Sequence, residues 1–540
     1  MKLSKNKYHI ILVILILLQV TNIIFWGSEK EGYHIDEIFS YGLSNGYYDP
    51  FPYYDNKDTH FMNWHNVEYF KDYVMVSEEH RFAYDSVYYN QSQDVHPPLY
   101  YMLLHTICSF FPETFSNWYA LSINIVFSVL NIILLNNIAS FVFKNKKEWA
   151  LLVCGFYGFS AGCVSNAVYL RMYVMLTFFV MLFSFLHVKL YETEKYKVYF
   201  SLIALVTIGG SLTQYYFYIF AFFVSAFFCF YLLAEKKWKA LCTYVVAMFG
   251  GIGISILFYP SAISHIFQGY RGTEAVDNLV SNNLAEKMST YLTYVNLELL
   301  GGYLKYLVLM CVIAFFGLLF KNCIVIKAIK GKGIAVEYHL QGDFRIEKVE
   351  YANIGFFVAT IFYAFLVAKM STISANRYIF PVYPFIVLYL IWFFSFLVKK
   401  IVSDRKFLLV VVSVLLALLL VSQYRHGYID YLYQGYAATQ QEVAKYSEND
   451  VLYVGDYEFP IYRDMMFLAK AKRFIPIPVS GLEESLQEIK DDITSQSVVI
   501  YVYKEHNDNE VLNLISEELG YTQFDAIAET YQSRVYYGYK

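Results

Sequence analysis

MKLSKNKYHIILVILILLQVTNIIFWGSEKEGYHIDEIFSY, residues 1–41, holds the pattern that decides the fold. Lys2, Lys5 and Lys7 precede an apolar run that ends at Trp26, and His34, Asp36 and Glu37 follow shortly after it. An apolar stretch of about 19 residues can cross the hydrocarbon core of a bilayer as a helix. It is long for the apolar region of a signal peptide, the rival reading, and no small-residue cleavage pattern follows it. The expectation is a first membrane span with its basic flank in the cytoplasm.

The same signature recurs along the chain. Of 540 residues, 57% are hydrophobic and 16% charged, against about 25% charged in a soluble protein. Tyr (54) and Phe (47) are abundant, as expected for side chains that favour the membrane–water interface. Further spans are expected at 117–141, 149–168, 172–190, 198–213, 215–234, 238–259, 300–320, 351–369, 378–398 and 407–423. The basic clusters at Lys2/Lys5/Lys7, Lys144/Lys146/Lys147, Lys195/Lys197, Lys236/Lys237/Lys239, Lys321 to Lys348 and Lys399/Lys400/Arg405/Lys406 occupy every second connection. They therefore share one side, which the positive-inside rule makes the cytoplasm. Eleven spans put the N-terminus inside and the C-terminus outside. Residues 97–111, PPLYYMLLHTICSFF, are apolar but short, and are expected to lie in or dip into the outer interface. A full crossing there would make twelve spans and force another segment to be reassigned. The fold class expected is an α-helical polytopic membrane protein with about 11–13 transmembrane helices.

The outer side then receives loop 27–96, loop 260–299, turns near 169–171, 213–216 and 369–377, and the tail 424–540. The cytoplasmic stretch 321–350 alternates around Gln341-Gly342-Asp343, the pattern of a small hairpin. In the tail, VLYVGDY, RFIPIPV, SVVIYVYK and RVYYGYK alternate with helical stretches near 458–470, 482–491 and 508–519. This predicts a small α/β domain. The division is a membrane domain, 1–423, and an extracytoplasmic domain, 424–540, that docks an acceptor or serves as a structural cap. The seven cysteines, Cys108, Cys154, Cys163, Cys229, Cys242, Cys311 and Cys323, lie in or beside apolar segments and read as small buried residues. A net charge of −4 gives no sign of nucleic-acid binding.

Loop 27–96 holds 13 acidic residues against four basic ones, and five of the twelve histidines. HIDEIFSYGLSNG carries His34, Asp36 and Glu37 at one foot of the loop; QDVHPPLYY carries Asp94 and His96 at the other. A carboxylate partly desolvated at a membrane surface can act as general base on a hydroxyl or amine. A phosphate leaving group at the same depth calls for arginine or lysine. Arg171, Arg271 and Arg377 all fall on the outer side, Arg171 and Arg377 at span ends in YLRMYVML and SANRYIFP. Each feature has a plain alternative. Loop acids are mostly solvated, span-end arginines anchor to headgroups, and a Pro-Pro pair starts a helix.

Taken in order, DEIFSY, DVHPPLYY, RMY and NRYIFP resemble the polyprenyl-phosphate-dependent glycosyltransferases of the GT-C superfamily, close to glycosyltransferase family 39. That group includes the protein O-mannosyltransferases and the lipid A aminoarabinose transferases. The resemblance covers roughly residues 1–400. It implies Asp36 as catalytic base with Glu37 beside it, and Asp94 with His96 shaping the donor and acceptor site. It implies Arg171 and Arg377 on the lipid phosphate, with Arg271 and Tyr378 as further substrate contacts. The reaction implied is a single displacement with inversion, passing a hexose or pentose from a polyprenyl-phosphate sugar to an extracytoplasmic protein, lipid or cell-wall glycan. A plasma-membrane location and contact with membrane lipids go with it. Metal use is open: His34, Asp36, Asp94 and His96 offer mixed nitrogen and oxygen ligands for a divalent ion. The rivals are a polytopic transporter or lipid-glycan flippase or polymerase, and a scaffold that binds cell-wall material. Transporters usually place ionisable groups near the bilayer midplane, whereas here the span interiors are almost free of charge.

Overall fold

The computed structural model describes residues 5–51, 61–193, 195–281, 283–310, 312–313, 325–329, 333–337, 347–401, 404–456 and 459–540. They form two compact units, each discontinuous in sequence. One is Met1–Ile24, Asn124–Ala167 and Met172–Asp430; the other is Phe25–Ile123, Val168–Arg171 and Tyr431–Lys540.

Among the described residues, eight helices are long and apolar enough to cross a membrane: Asn6–Ser28, Asn117–Val142, Tyr173–Glu192, Phe217–Ala234, Trp238–Phe258, Lys348–Met370, Phe380–Leu397 and Lys406–Arg425. The expected span 149–168 is broken instead into Lys147–Gly158 and Ala161–Val168, bent by 54°. Ser160 makes the break: its hydroxyl accepts from the Cys163 amide at 3.2 Å, an N-cap that restarts the helix. Gln423 Oε1 accepts the freed Ala161 amide at 2.8 Å. Non-helical backbone at membrane depth requires such a partner. The span expected at 198–213 is Tyr196–Ser211, 16 residues, about 24 Å of helix against a hydrocarbon core of about 30 Å. The span expected at 300–320 is helical at 304–310 and 312–313; residues 300–303 form a turn before it, and 311 and 314–320 lie outside the described residues.

The stretch 260–299, expected as a loop, forms the helices Ser261–Phe267, Tyr270–Val280 and Leu284–Glu298. The last buries Lys287, Tyr291 and Glu298 along one face. Charged residues on a buried helical face hide the helix from a hydropathy reading. In the same unit, the helices from Tyr196 to Phe267 line an open apolar groove of about 560 Å³, with Tyr218, Phe222, Met248 and Phe249 among its walls.

The strands described are β1 (His65–Asn66), β2 (Val325–Ile329), β3 (Gly333–Glu337), β4 (Asp450–Val454), β5 (Arg473–Ile477), β6 (Ser497–Tyr503), β7 (Gln523–Glu529) and β8 (Ser533–Tyr539). The antiparallel pair β2/β3 places Val325 opposite Glu337. It thus precedes Gln341-Gly342-Asp343, which lies outside the described residues. The other six strands make one sheet, ordered β1-β5-β4-β6-β8-β7. The central strands β5, β4 and β6 are parallel, and β4 is buried along its whole length, as a strand covered on both faces should be. The helices expected near 458–470, 482–491 and 508–519 are Phe459–Leu468, Leu482–Ile489 and Asp508–Leu519.

Two features of this sheet were absent from the sequence reading. β7 is an edge strand, QFDAIAE, whose exposed acids and alanines carry little strand propensity. β1 comes from the first loop and pairs antiparallel with β5, His65 opposite Phe474. Trp64, beside β1, lies 3.8 Å under the Arg473 guanidinium, and Arg473 grips Asp450 with two bonds of 2.9 and 2.8 Å. The first loop and the tail therefore share one sheet.

Candidate active site

The helix Ile35–Asn45 begins with a reciprocal cap. His34 Nδ1 accepts from the Asp36 amide at 3.1 Å, and the His34 amide donates to Glu37 Oε2 at 2.6 Å. A capping box fixes where the helix starts, and hence which way Asp36, in its first turn, points. Glu37 is fully enclosed. Lys30 Nζ reaches both of its oxygens at 3.0 Å, and the Leu170 amide donates to Oε1 at 2.8 Å. Burial pushes the Glu37 carboxyl up, and Lys30 with the Leu170 and His34 amides pulls it back. Asp36 is only partly buried. Its Oδ2 accepts the Tyr169 hydroxyl at 2.9 Å and lies 3.6 Å from His34 Nδ1.

Arg171 is 3% exposed. Its Nη1 donates to the Asp36 carbonyl at 2.9 Å and to Ser40 Oγ at 3.2 Å; its Nη2 lies 3.4 Å from His96 Nε2. A guanidinium only donates, so His96 Nε2 accepts and His96 Nδ1 carries the proton. That proton points at Asp94 Oδ2, 2.7 Å away. Burial raises the Asp94 carboxyl, but His96 and Arg171 outweigh it and hold it below the usual carboxylate range. The Tyr101 ring lies 5.8 Å from the guanidinium carbon. The Tyr100 and Tyr101 hydroxyls are buried without a hydrogen-bond partner.

The tail supplies walls to the same site. The Tyr431 ring stacks on Tyr169 at 4.0 Å, and the Tyr431 carbonyl accepts Lys30 Nζ at 2.6 Å. Tyr531 Oη accepts the Tyr33 amide at 3.0 Å. It also passes so close to Gly32 that a Cβ there would come within 2.1 Å of it.

Asp36, Glu37, Asp94, His96 and Arg171 thus meet in one unit, joined by Lys30, Ser40, Tyr101, Tyr169 and Tyr431, which the sequence reading did not single out. Tyr169 had a local signal: it stands two positions before Arg171 in YLRMY. Arg271, Arg377 and Tyr378 belong to the other unit. Arg271 is exposed and pairs with Glu274 at 3.0 Å. Arg377 is 6% exposed, and its guanidinium carbon lies 5.1 Å from the Tyr378 ring. The turn Asn376–Tyr378 that carries it is pinned through Asn376. Asn376 Oδ1 accepts the Arg377 amide at 2.8 Å, and Asn376 Nδ2 donates to Glu298 Oε1 at 2.6 Å and to Asp430 Oδ2 at 3.0 Å. Tyr383 donates to the second Glu298 oxygen. Burial pushes the Glu298 carboxyl up to about 8 against the Tyr383 and Asn376 donors, with Asp430 adding to the rise.

Among the described residues, no group of three or more His, Cys, Asp and Glu side chains is placed to hold a metal ion. His34 Nδ1 is taken by the Asp36 amide and His96 pairs with Asp94, and the Arg171 guanidinium contacts both the Asp36 backbone and the His96 ring. A permanent cation among these groups does not suit a second one, so the arrangement does not fit the metal set that the spacing allowed.

No protein-family model matches the sequence, and no curated protein matches it. Solved structures do. ArnT from Cupriavidus metallidurans, in a crystal structure bound to undecaprenyl phosphate, superposes with a TM-score of 0.50 at 10% identity, over 99% of this chain and 98% of ArnT. The archaeal oligosaccharyltransferase AglB from Archaeoglobus fulgidus, in complex with an inhibitory peptide and a dolichol-phosphate, gives 0.51 at 11% identity, over 96% of this chain and 72% of AglB. The apo form of the Archaeoglobus fulgidus enzyme gives 0.51 at 13% identity, over 96% and 73%. At such identities the likeness is one of fold. The chain shares the fold of these two enzymes over nearly its whole length, as the order of its motifs led us to expect.

Proposed function

We propose that this protein is a membrane glycosyltransferase that moves a sugar from a polyprenyl-phosphate donor to an acceptor outside the membrane, with Asp36 as general base. The observation that carries the reading is the assembly at the head of the helix Ile35–Asn45. A partly exposed carboxylate stands beside a buried arginine, and three distant stretches of chain supply the groups that fix the pair. The fold adds weight, because ArnT was crystallised with undecaprenyl phosphate and AglB with dolichol-phosphate. The apolar groove among the membrane helices offers room for part of a prenyl chain.

In the reaction, Asp36 takes the proton from an acceptor hydroxyl or amine, whose lone pair forms a bond to the anomeric carbon. The bond from that carbon to the phosphate oxygen breaks on the opposite face, which inverts the centre, and its electrons leave with the polyprenyl phosphate. Arg171, oriented by Asp94 through His96, binds the phosphate and stabilises the charge it gains. Glu37, enclosed and paired with Lys30, is the anchor of Asp36 rather than a second base. The positive-inside pattern places the N-terminus in the cytoplasm and residues 424–540 outside.

Asp36→Asn tests the assignment. We expect sugar transfer to fall about a hundredfold or more, the range general bases contribute, with binding of the lipid donor retained. Normal turnover in that variant removes Asp36 from the mechanism.

One observation favours the transporter reading. Glu298 is a buried carboxyl poised near neutrality, a device suited to proton coupling. The two readings part in detergent, where an enzyme still transfers sugar and a transporter has no gradient to use.

A further inference from the structure

The helices Ser261–Phe267 and Tyr270–Val280 turn apolar side chains outward: Phe267 is 72% exposed, Val276 58% and Val280 82%. In a chain with this many membrane spans, such a face lies in lipid, with the helix along the membrane surface. The opposite side of Tyr270–Val280 meets the end of the span Lys348–Met370. Asn278 Nδ2 donates to the carbonyls of Met370 at 3.4 Å and Ser371 at 3.5 Å.

Two lysines converge on this junction. Lys287, 6% exposed, donates from Nζ to the Ser371 carbonyl and to Asn278 Oδ1 at 3.4 Å. Lys369, in the last turn of the span helix, donates to the Ser281 carbonyl. All these partners are neutral. Of the two acids on the neighbouring helix, Glu274 is occupied by Arg271 at 3.0 Å and Thr372 at 2.8 Å, and Asp277, among the described residues, forms no ion pair with either lysine. Burial and the Lys369 charge hold Lys287 below the ordinary lysine range. Capping the carbonyl ends of two helices accounts for one contact from each lysine. It does not account for two like charges side by side. Each ammonium has three donors; among the described residues Lys287 commits two and Lys369 one, leaving three N–H groups and two charges that no carboxylate there offsets.

We propose that Lys287 and Lys369 bind the phosphate headgroup of an anionic membrane lipid. Both lysines belong to the other compact unit from Asp36 and Arg171, and the site does not require that the protein transfer sugar. Its ligand is a phosphate on a lipid, either a polyprenyl monophosphate or a bulk phospholipid.

Native mass spectrometry of the purified full-length protein tests it, with phosphatidylglycerol, phosphatidylcholine and a polyprenyl monophosphate offered separately, and inorganic phosphate as competitor. The wild type should retain an anionic lipid over phosphatidylcholine. Lys369→Gln should weaken that retention about fivefold and the Lys287→Gln/Lys369→Gln pair about thirtyfold, at the usual worth of a lysine near an anionic surface. Lys369→Arg should keep it. Preference for the polyprenyl monophosphate would assign the site to a carrier lipid; equal retention of phosphatidylglycerol would assign it to the bulk lipid. Unchanged retention in Lys369→Gln overturns the proposal, and so does binding of inorganic phosphate with no retained lipid. Lys369 is only half-buried, so its single variant reads the site even if loss of Lys287 harms folding.

Discussion

Replacing Glu37 by Gln should loosen the head of the site more than any neighbouring surface change. The Lys30–Glu37 pair is closed off, with side-chain exposures of 1% and 0%. Without the carboxylate, Lys30 keeps the Tyr431 carbonyl and the faces of Tyr33 and Tyr433, at 5.7 and 5.3 Å, all of them neutral. Breaking a buried pair from one side costs about 3–5 kcal/mol, because a charge stays behind unpaired. Gln adds to this, since its single oxygen cannot accept from both the Leu170 and His34 amides, and a buried unsatisfied donor costs about 1–3 kcal/mol. Taken from local stability, 3–5 kcal/mol raises the opening of the helix Ile35–Asn45 by about two hundredfold to a few thousandfold. Hydrogen–deuterium exchange of peptides spanning 30–45 and 168–171, in detergent or nanodiscs, reads this directly. Sugar transfer should fall with it, because Asp36 sits in the first turn of that helix. The Lys30→Met/Glu37→Gln pair should recover much of the protection by removing the orphaned ammonium. Unchanged exchange in Glu37→Gln, or a double variant less protected than the single one, would refute the reasoning.

Other outcomes follow from the same geometry. Asp94→Asn takes the charged acceptor from His96 and should lower transfer about ten- to a hundredfold through misplacement of the ring that Arg171 contacts, seen as a drop in kcat/KM in a folded protein. Because Asp94 is held below the usual carboxylate range, its contribution is present above its unfolded pKa and is lost only as pH falls through its lower folded value. It therefore supplies no acid limb between pH 5 and 8. Glu298 runs the other way. Its folded value is raised to about 8, so its contribution is complete below its unfolded pKa and drains away as pH rises through the folded one. Stability measured against Glu298→Gln should fall by about 1.4 kcal/mol per pH unit between about pH 5 and 8 and then level off. A flat difference over that interval would show that Glu298 titrates normally.

The parts of the site visible in the sequence are those whose signal is local. Asp36 and Glu37 follow a span, Asp94 and His96 precede a Pro-Pro start, and Arg171 and Arg377 stand where apolar runs end. Their short-range neighbours fix the backbone: the helix Ile35–Asn45, inside what was expected as a loop, starts at its own capping box, and the turn Asn376–Tyr378 falls at the end of the expected turn 369–377. What the sequence concealed depends on contacts hundreds of residues apart. Glu31 and Leu432 share a backbone bond, and Tyr33 and Tyr531 are linked by another hydrogen bond. Neither end of such a pairing carries a mark of its partner, because a tyrosine that caps a distant amide has the same local pattern as one facing lipid. Glu298 was lost for the opposite reason: an acid in a stretch expected to be an outer loop reads as solvated until the face it occupies is known to be buried.

This difference bears on how the site divides its labour. Groups with a local signal would meet the substrate, and their place relative to the membrane is set by the spans that flank them. Groups without one, Lys30, Tyr431 and Tyr531 above all, hold the segment before the helix and enclose the charge that anchors Glu37. The tail therefore need not touch donor or acceptor to matter for catalysis. Tyr431 holds Lys30 through its backbone carbonyl and Tyr169 through its ring. The tail thus acts on Asp36 through Tyr169, whose hydroxyl donates to the carboxylate. A donor on a general base lowers its basicity. In the reaction we propose, the acceptor hydroxyl therefore has to share the Asp36 carboxylate with the Tyr169 hydroxyl.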